Sequence, residues 1–352
     1  MQDPQRVIAA YSDWLRPSQT EDLAGAGGFS GARFWRLRTA AGTLCLRRWP
    51  AEHPAPAQLA TIHAVLRHVR DAGIQTIPVP MSTRSGASYV EQSGFLWELT
   101  PWMPGQADYW RAPSRNKLIA ALEALGHFHR AAASFAGNYA IATVAPAVQP
   151  RRELLDDLLR DGLQQMRLTL DAQPDSEMTQ IAKQIVALVP HIAGQIGSQL
   201  AVASQLVVPI QPCIRDIWHD HVLFTDDRVS GLIDFGAMKN DSVAADLSRL
   251  LGSLAGDNVG DWACGIAAYQ RICQLSPQEF QLIGILDSST ILLSGLNWLR
   301  WIYLENRTFD DKASVVNRLR RITGRLERLV ARSGRSILDS DDTNASPPRI
   351  MP

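Results

Sequence analysis

Residues 214–236, IRDIWHDHVLFTDDRVSGLIDFG, decide the fold. Apolar residues recur on both sides of residues 225–227 as in two strands, so the stretch predicts a β-hairpin that turns there. Asp216 lies in the loop before the first strand, and Asp234 ends the second strand 18 positions later. Because a hairpin brings its two ends together, we expect Asp216, His221 and Asp234 to converge.

Converging carboxylates suit phosphoryl transfer, which needs a carboxylate to accept a hydroxyl proton and oxygen ligands for Mg²⁺. The alternatives for His219 and His221 are a transition-metal site or a solvated loop. Their i, i+2 spacing, with no third ligand pattern, makes the transition-metal site the weaker interpretation. Each Asp taken alone would be an ordinary turn residue.

The chain before this stretch predicts a small, mostly antiparallel sheet with one internal helix. Residues 34–39 and 43–49 alternate as two strands around a turn, and a helix is expected over about 57–72. Four other elements are expected: a helix from Asp3 through Trp14, and strand-like pieces near 77–80, 88–91 and 95–100.

A glycine-rich run, residues 25–31 (GAGGFSG), precedes the first of these strands. Glycine lets backbone N–H groups approach phosphate oxygens. Neither a G-x-G-x-x-G loop leading into a helix nor a Walker loop fits, because the next residues alternate like a strand and no Gly-Lys-Ser/Thr closes the run. The remaining interpretation is a strand–glycine turn–strand unit that lies over a nucleotide. The alternative is an ordinary flexible loop. On the second strand, Arg47 faces away from Leu44 and Leu46, where it could hold phosphates or be a solvated charge.

Residues 100–105 (TPWMPG) hold two prolines and a glycine, which predicts a joint between domains. Beyond the joint the chain is mainly helical, with helices expected over about 115–134, 151–170, 176–200, 243–255, 259–274, 277–304 and 311–333. We therefore predict an N-terminal nucleotide-binding lobe over residues 1–100 and a helical C-terminal lobe, with the catalytic loop and substrate pocket, over 101–335. A disordered tail is expected over 336–352.

The composition narrows the classes of partner. A balance of 35 Lys and Arg against 35 Asp and Glu in 352 residues argues against a dedicated nucleic-acid binder and a polybasic membrane-surface protein. The start has no secretory signal pattern, and no run of about 18 apolar residues predicts a membrane span. Four cysteines without a C-x-x-C pair are typical of reduced thiols, so we expect a cytoplasmic protein.

The charge is unevenly distributed along the chain. Residues 27–50 hold five arginines and no acid, a net +5, and residues 215–249 hold seven aspartates against four cations, a net −3. Such basic strands opposite an acidic loop would suit a metal and a polyphosphate held between them.

At residues 214–236 the sequence resembles the aminoglycoside phosphotransferase and choline kinase group, small-molecule kinases with a protein-kinase-like fold. The family pattern is H-G-D-x-x-x-x-N, a hairpin, then I-D-F/W/Y-G/E/D, and later an Asp in a D-P-x-x-D-L-A-like stretch. Asp216 falls on the catalytic Asp, Asp234 on the magnesium-binding Asp, and Asp246 on the Asp that braces the catalytic loop. Further segments match in order: GGFSG at 27–31 as the nucleotide loop, Leu46-Arg47 as the phosphate-binding strand, FLWELTPWMPG at 95–105 as the hinge strand and LGHFH at 125–129 as a characteristic helix. The match covers about residues 20–255.

The resemblance implies an α+β, protein-kinase-like two-lobed fold, with a small antiparallel-sheet N-lobe and a large, mainly helical C-lobe. It implies ATP-dependent transfer of the γ-phosphate to a hydroxyl of a small molecule of aminoglycoside, amino-sugar, amino-alcohol or sugar type. The implied cofactors are ATP and Mg²⁺, or Mn²⁺ because His221 replaces the family Asn. The implied site residues are Asp216 as the catalytic base, Gly27, Gly28, Ser30, Gly31, Arg47, Glu98 and Thr100 for the nucleotide, and Asp234, His221 and Asp220 for the metal. Backbone groups near Glu98 to Thr100 are expected to bind adenine.

The sequence departs from the family pattern at four places. Ile214 replaces the family His, Arg215 replaces its Gly, and His221 replaces the metal-binding Asn. The helix expected over 57–72 offers no Glu to pair with Arg47 and carries His63 at its centre. Since Mg²⁺ prefers oxygen, three outcomes stay open: Asp220 supplies the oxygen, His221 shifts the preference toward manganese, or one metal binds and turnover is low.

Arg215 is expected to lie beside Asp216 and favour its ionised form. A pseudokinase-like nucleotide-binding or regulatory protein is the alternative function, although retention of both Asp216 and Asp234 favours the kinase. The sequence leaves the acceptor and the oligomeric state open.

Overall fold

A computed structural model describes residues 3–23, 31–135, 141–309 and 311–338. Contacts between Cα atoms divide the chain into two compact units. The first unit holds residues 1–147 and 206–283, and the second holds residues 148–205 and 284–352.

Antiparallel strands dominate the early part of the chain and helices the later part, as predicted. The strands are β1 (Pro17–Asp22), β2 (Arg33–Thr39), β3 (Gly42–Arg48), β4 (Val90–Gln92), β5 (Phe95–Pro101), β6 (Ile141–Val144), β7 (Val207–Cys213), β8 (Val222–Thr225), β9 (Arg228–Leu232) and β10 (Lys239–Asp241). The helices are α1 (Asp3–Ile8), α2 (Pro56–Asp71), α3 (Arg115–Ala132), α4 (Val148–Asp157), α5 (Leu163–Asp171), α6 (Glu177–Leu188), α7 (Ala193–Ala203), α8 (Ala244–Leu254), α9 (Val259–Gln270), α10 (Pro277–Leu299) and α11 (Lys312–Leu338). Two expectations are wrong: residues 77–80 are not in a strand, and the first helix ends at Ile8.

Five strands form the antiparallel sheet of the first unit, in the order β1-β2-β3-β5-β4. The edge strand β1 was not predicted, because its residues are polar and mostly exposed, with no apolar alternation. Arg33 pairs with Asp22 at 2.8 Å and Arg36 with Glu21 at 3.3 Å, so charged cross-strand pairs join β2 to this edge. Two of the arginines expected to face the acidic loop are therefore paired within the sheet instead.

The two faces of this sheet carry different residues. Trp35, Leu46 and Trp97 share a buried apolar cluster with Val7 of α1. Because side chains alternate between the faces of a strand, Arg47 lies on the opposite face. One face of the sheet thus packs into the apolar core, and the other face carries Arg47.

The hairpin β8–β9 forms as predicted, with β8 ending at Thr225 and β9 beginning at Arg228. A second, three-stranded sheet of order β10-β7-β6 was not predicted. Its strands are short or, like β7 with Pro209 and Pro212, interrupted by residues that cannot donate to a ladder. Strand β7 matters for the site, because it leads directly into the loop that carries Asp216.

The second unit is helical. The helices predicted over 151–170 and 176–200 are each interrupted, the first by a π turn at Leu158–Gly162 and the second by a 3₁₀ turn at Val189–His191. Pro190 explains the second break, because proline lacks the N–H that continues a helix. Helix α11 packs on α6 within this unit.

Helix α10 and the π turn that follows it, Pro277–Leu304, are long and apolar enough to cross a membrane by length and composition alone. However, 67% of the apolar window is buried inside the structure. Gly295 lies against Ile185 and Ile322, where an added Cβ would come within 3.1–3.3 Å of their methyl groups. We interpret this segment as a core helix.

Two predicted boundaries concern the end of the N-terminal lobe and the start of the tail. Strand β5 ends at Pro101, within the expected joint, and α11 ends at Leu338. The boundary at residues 100–101 remains a prediction. Residues 339–352 lie outside the described residues, so the disordered tail also remains a prediction.

The segment after β5 is bonded to the hairpin β8–β9. Ser230 Oγ donates to the Pro104 carbonyl at 2.8 Å, and Gln106 exchanges two backbone hydrogen bonds of 2.9 Å with Phe224. Gly105 has φ 92°, and a Cβ there would overlap Ser230 Oγ and lie 2.5 Å from the Phe224 carbonyl oxygen. This position therefore needs glycine for both its conformation and its space.

We expect Gly105→Ala to lower the free energy of unfolding by about 3 kcal/mol or more, because backbone atoms must shift to admit the methyl group. Gly73→Ala is the matched control: its φ is 98°, but nothing lies within 4 Å of the added Cβ. It should cost only about 1 kcal/mol, from the left-handed backbone alone. Thermal unfolding of both variants checks this, and equal falls in Tm would contradict it.

Candidate active site

The loop before β8 is fixed by the buried carboxylate of Asp246 on α8. Asp246 accepts hydrogen bonds from the backbone N–H groups of Ile214 at 2.7 Å and Arg215 at 2.6 Å. His129 of α3 lies 2.9 Å away through Nε2, and its Nδ1 is 2.9 Å from the Tyr269 hydroxyl. A buried carboxylate needs such donors, and the prediction that Asp246 braces this loop is confirmed.

One face of α8 contacts the loop over about two turns. Arg249 contacts the carboxylate of Asp216, and Ser253 Oγ accepts a hydrogen bond of 3.1 Å from the His219 backbone N–H. With Asp246, these residues stand at i, i+3 and i+7, which is the spacing of one helix face. Sequence reasoning missed Arg249 and Ser253, because only the docking of α8 shows which face meets the loop.

The expectation that Arg215 lies beside the Asp216 carboxylate is wrong. Arg215 has φ 70°, in the left-handed region that the family's glycine adopts more easily, and its guanidinium pairs with Asp241 of β10. Asp241 is fully buried and would otherwise carry an unpaired charge. The cation on Asp216 is Arg249 instead.

The predicted convergence at the hairpin ends is confirmed. His221 Nδ1 lies 2.7 Å from the Asp216 carbonyl oxygen, and His221 Nε2 lies 3.6 Å from Asp234 Oδ2. The Ile233 backbone N–H also donates to the His221 carbonyl at 3.0 Å. His221 therefore stands between the two aspartates.

The hydrogen bonds of His221 define its tautomer. The Trp218 indole N–H, which can only donate, lies 2.8 Å from His221 Nε2, so Nε2 accepts. The Asp216 carbonyl can only accept, so Nδ1 carries the proton. Both nitrogens are thus in use, and a cation could bind Nε2 only after the Trp218 bond broke. This geometry favours a positioning role for His221, and its role as a metal ligand remains a prediction.

Arg47 of β3 reaches Asp234 and joins the five-stranded sheet to the hairpin. Its Nη1 lies 3.0 Å from Asp234 Oδ1. Burial raises the pKa of Asp234, but the charge of Arg47, the nearby His221 and the hydrogen bonds of Arg47 and the Gly236 backbone N–H outweigh burial and leave this pKa below its usual value. Asp234 is therefore a carboxylate at neutral pH, as a divalent-cation ligand must be.

Trp49 is a further residue of the site, next to Arg47, and was not predicted. The Arg47 guanidinium lies 3.4 Å from the centre of the Trp49 ring, and a Cβ on Gly236 would come within 2.6 Å of the same ring. Within the described part of the chain, the buried Nε of Arg47 and indole N–H of Trp49 have no hydrogen-bond partner. Both are donors, so an acceptor-rich ligand such as a polyphosphate fits here.

His63 and Glu98 form a buried pair behind Arg47. His63 Nε2 of α2 lies 2.7 Å from Glu98 Oε2, and His63 Nδ1 lies 2.9 Å from Ser88 Oγ. Helix α2 thus holds strand β5 through His63, while Asp234 is the carboxylate partner of Arg47.

The backbone of Glu98 and Thr100 is already paired. Glu98 stands opposite Arg47 and Thr100 opposite Cys45 in the ladder between β3 and β5. The Trp49 N–H donates to the Leu96 carbonyl, and by alternation the backbone groups of Glu98 and Thr100 also point toward β3. Their side chains share the sheet face of Arg47, so their roles at a nucleotide remain predictions that rest on side chains.

The remaining predicted site residues are Gly27, Gly28, Ser30, Gly31 and Asp220. Gly27, Gly28 and Ser30 lie outside the described residues, whereas Gly31 is described with φ 74°. Asp220 Oδ1 lies 3.2 Å from His219 Nε2, and the Trp110 ring stacks on His219. Asp220 as a metal ligand therefore remains a prediction.

A second candidate for metal binding is the buried group His129, Cys213 and Asp246, whose ligand atoms lie within 4.8 Å of one another. Burial raises the pKa of Cys213 well above its usual value, so the thiol keeps its proton and donates to the Asp241 carbonyl at 3.2 Å. A protonated thiol is a poor metal ligand. We interpret this group as a hydrogen-bonded core behind the loop.

Comparisons with solved structures show the same fold. An aminoglycoside phosphotransferase from Alicyclobacillus acidocaldarius aligns with a TM-score of 0.62 at 19% identity, over 96% of this chain and 97% of that one. A spectinomycin phosphotransferase in complex with ADP and spectinomycin gives 0.64 at 11% identity, over 93% and 98%. A microcompartment-associated aminopropanol kinase gives 0.56 at 14% identity, over 94% and 98%. The predicted protein-kinase-like fold is confirmed.

Sequence comparison finds curated relatives named homoserine kinase. The protein from Allorhizobium ampelinum is 28% identical over 233 residues, which is 65% of this chain and 64% of that relative's length. The protein from Parvibaculum lavamentivorans is 26% identical over 270 residues, 74% of each chain. Residues 23–275 match the sequence model of the phosphotransferase enzyme family. Since this match covers most of the chain, including every site residue described above, the protein belongs to the phosphotransferase enzyme family.

Proposed function

We propose that this protein transfers the γ-phosphate of ATP to a hydroxyl of a small molecule, in a reaction that needs Mg²⁺. The observation that carries the proposal is the arrangement at the hairpin ends. Asp216 and Asp234 flank His221, and Arg47 is ion-paired with Asp234. This brings together a candidate base, a candidate metal ligand and a candidate phosphate-binding cation.

Each group has a role that suits its chemistry. Asp216 would accept the proton of the acceptor hydroxyl. Asp234 offers carboxylate oxygens for Mg²⁺, and Asp220 is the further oxygen candidate, since His221 is already bonded at both nitrogens. Arg47 and the Trp49 N–H would bind phosphate oxygens. The glycine-rich residues Gly27, Gly28, Ser30 and Gly31 would cover the nucleotide, with Glu98 and Thr100 beneath it.

The named relatives support an acceptor of the amino-alcohol or hydroxy-amino-acid type. The curated relatives are homoserine kinases, and one structural neighbour is an aminopropanol kinase. Both names describe small alcohols that also carry an amino group. We also propose that the protein acts in the cytoplasm, where its four free cysteines would stay reduced.

Nucleotide binding is the first test. ATP with Mg²⁺ should raise the Tm by several degrees, because a ligand at 100 times its Kd stabilises the native state by about 2.7 kcal/mol. Arg47→Met should remove most of this shift. Arg271→Met, at an exposed arginine paired with Glu123, is the matched control and should keep it. No shift with any nucleotide and metal would refute nucleotide binding.

Phosphate transfer tests the catalytic role of Asp216. In a screen over amino-alcohols, hydroxy-amino-acids, amino-sugars and aminoglycosides, Asp216→Asn should lower kcat roughly 10²–10⁴-fold, the range expected for loss of a general base. Its Tm shift with ATP and Mg²⁺ should persist. Equal rates in both proteins would refute Asp216 as the base, and nucleotide binding without any transfer would favour the pseudokinase-like alternative.

The metal dependence tests His221. Because both of its nitrogens are bonded within the protein, His221→Asn should lower kcat about tenfold through a misplaced loop, yet change the Mg²⁺ concentration for half-maximal rate less than twofold. Trp218→Phe, which removes the bond to Nε2, should behave alike. A large change in the Mg²⁺ requirement, or in the preference for Mn²⁺, would instead make His221 a ligand.

A further inference from the structure

We infer that Arg249 recognises a carboxylate on the acceptor and that this contact frees Asp216 to act as the base. The inference rests on the proposed function and names the acceptor more closely. Its starting point is the ion pair between Arg249 Nη2 and Asp216 Oδ1.

This ion pair restricts the role of Asp216 as it stands. A general base must offer a carboxylate oxygen to the hydroxyl within hydrogen-bond distance, and the Arg249 guanidinium occupies Oδ1, one of the two oxygens of Asp216. The Arg249 and Asp216 side chains are 32% and 44% exposed, so a small ligand can reach both. The Arg249 Nε is buried and, among the described residues, has no hydrogen-bond partner. The Nε–H group of Arg249 is therefore a donor that a ligand could use.

Three other carboxylates around the loop are already paired among the described residues. Asp241 is paired with Arg215, Asp234 with Arg47, and Asp246 with two backbone N–H groups and His129. A ligand can therefore supply the anion that draws Arg249 from Asp216. A carboxylate suits this exchange, because it can bind a guanidinium through two parallel hydrogen bonds.

The charges of Arg215 in the loop and Arg249 on α8 also select among acceptors. Arg215 and Arg249 lie near enough for each charge to act on the other, and this contributes to a pKa of Arg215 below its usual value, after the larger effect of burial. An acceptor with several positive charges would be repelled by these guanidinium groups. A zwitterionic hydroxy-amino-acid would bring a carboxylate to Arg249 and its hydroxyl to Asp216.

The transfer step balances with these groups. The acceptor hydroxyl oxygen forms a bond to the γ-phosphorus of ATP, and the bond from that phosphorus to the β–γ bridging oxygen breaks. ADP leaves with the electron pair of the broken bond. The hydroxyl proton passes to the carboxylate oxygen of Asp216 that Arg249 has released, and the products are ADP and a phosphate monoester.

A matched pair of acceptors tests the inference. L-Homoserine and 3-amino-1-propanol share the hydroxyl, the chain and the amino group, and differ only in the carboxylate. In the unmodified protein with ATP and Mg²⁺, kcat/KM should favour L-homoserine roughly 10–100-fold, the range for one hydrogen-bonded charge. Arg249→Met should bring this ratio close to one, and Arg249→Lys, which keeps the charge without the planar fork, should give an intermediate ratio. Arg271→Met should keep the original ratio.

Other outcomes overturn the inference. It fails if the unmodified protein shows no preference, if the preference survives Arg249→Met, or if only alcohols without a carboxylate are phosphorylated. It also fails if Arg249→Met slows both acceptors equally and reduces the Tm shift with ATP and Mg²⁺, since Arg249 would then bind the γ-phosphate. In these cases the proposed kinase function stands. Loss of that function itself would appear separately, as no transfer to any alcohol by the unmodified protein.

Discussion

The buried carboxylate of Asp246 is the constraint on which the site depends. A charge removed from water must be met by donors, and here the donors are the backbone N–H groups of the loop itself and His129. Satisfying Asp246 therefore fixes the loop against α8. Once α8 and the loop are in register, Arg249 meets Asp216 and Ser253 meets His219 without any further adjustment.

A second interaction, between Arg47 and Asp234, joins the five-stranded sheet to the hairpin. The Arg47 guanidinium and the backbone at Gly236 both lie close to the Trp49 ring, so this ring supports both sides of the contact. The charge on Arg47 also keeps Asp234 ionised despite its burial. The same contact thus positions the candidate metal ligand and sets its protonation state.

The departures from the family pattern are compensated within this chain. His221, in place of the family Asn, is held by Trp218 and holds the Asp216 carbonyl in turn. Arg215, in place of a glycine, accepts a left-handed backbone and neutralises the buried Asp241. His63 pairs with Glu98, so α2 remains linked to the sheet. These substitutions keep the loop in place by different bonds, and they leave Arg249 as the cation next to the candidate base.

The sequence by itself determined the hairpin and the convergence of Asp216, His221 and Asp234, because a hairpin is local and its ends meet whatever surrounds them. It also determined Asp246, through the resemblance, and the helical later part, through apolar periodicity. Only the tertiary structure decided that β1, β6, β7 and β10 are strands, since short, polar or proline-containing segments become strands only when a partner pairs with them. It alone decided that Arg249, rather than Arg215, meets Asp216, 33 positions away. Neighbours in sequence can point to different partners, and the docking of whole elements selects which side chain reaches which charge.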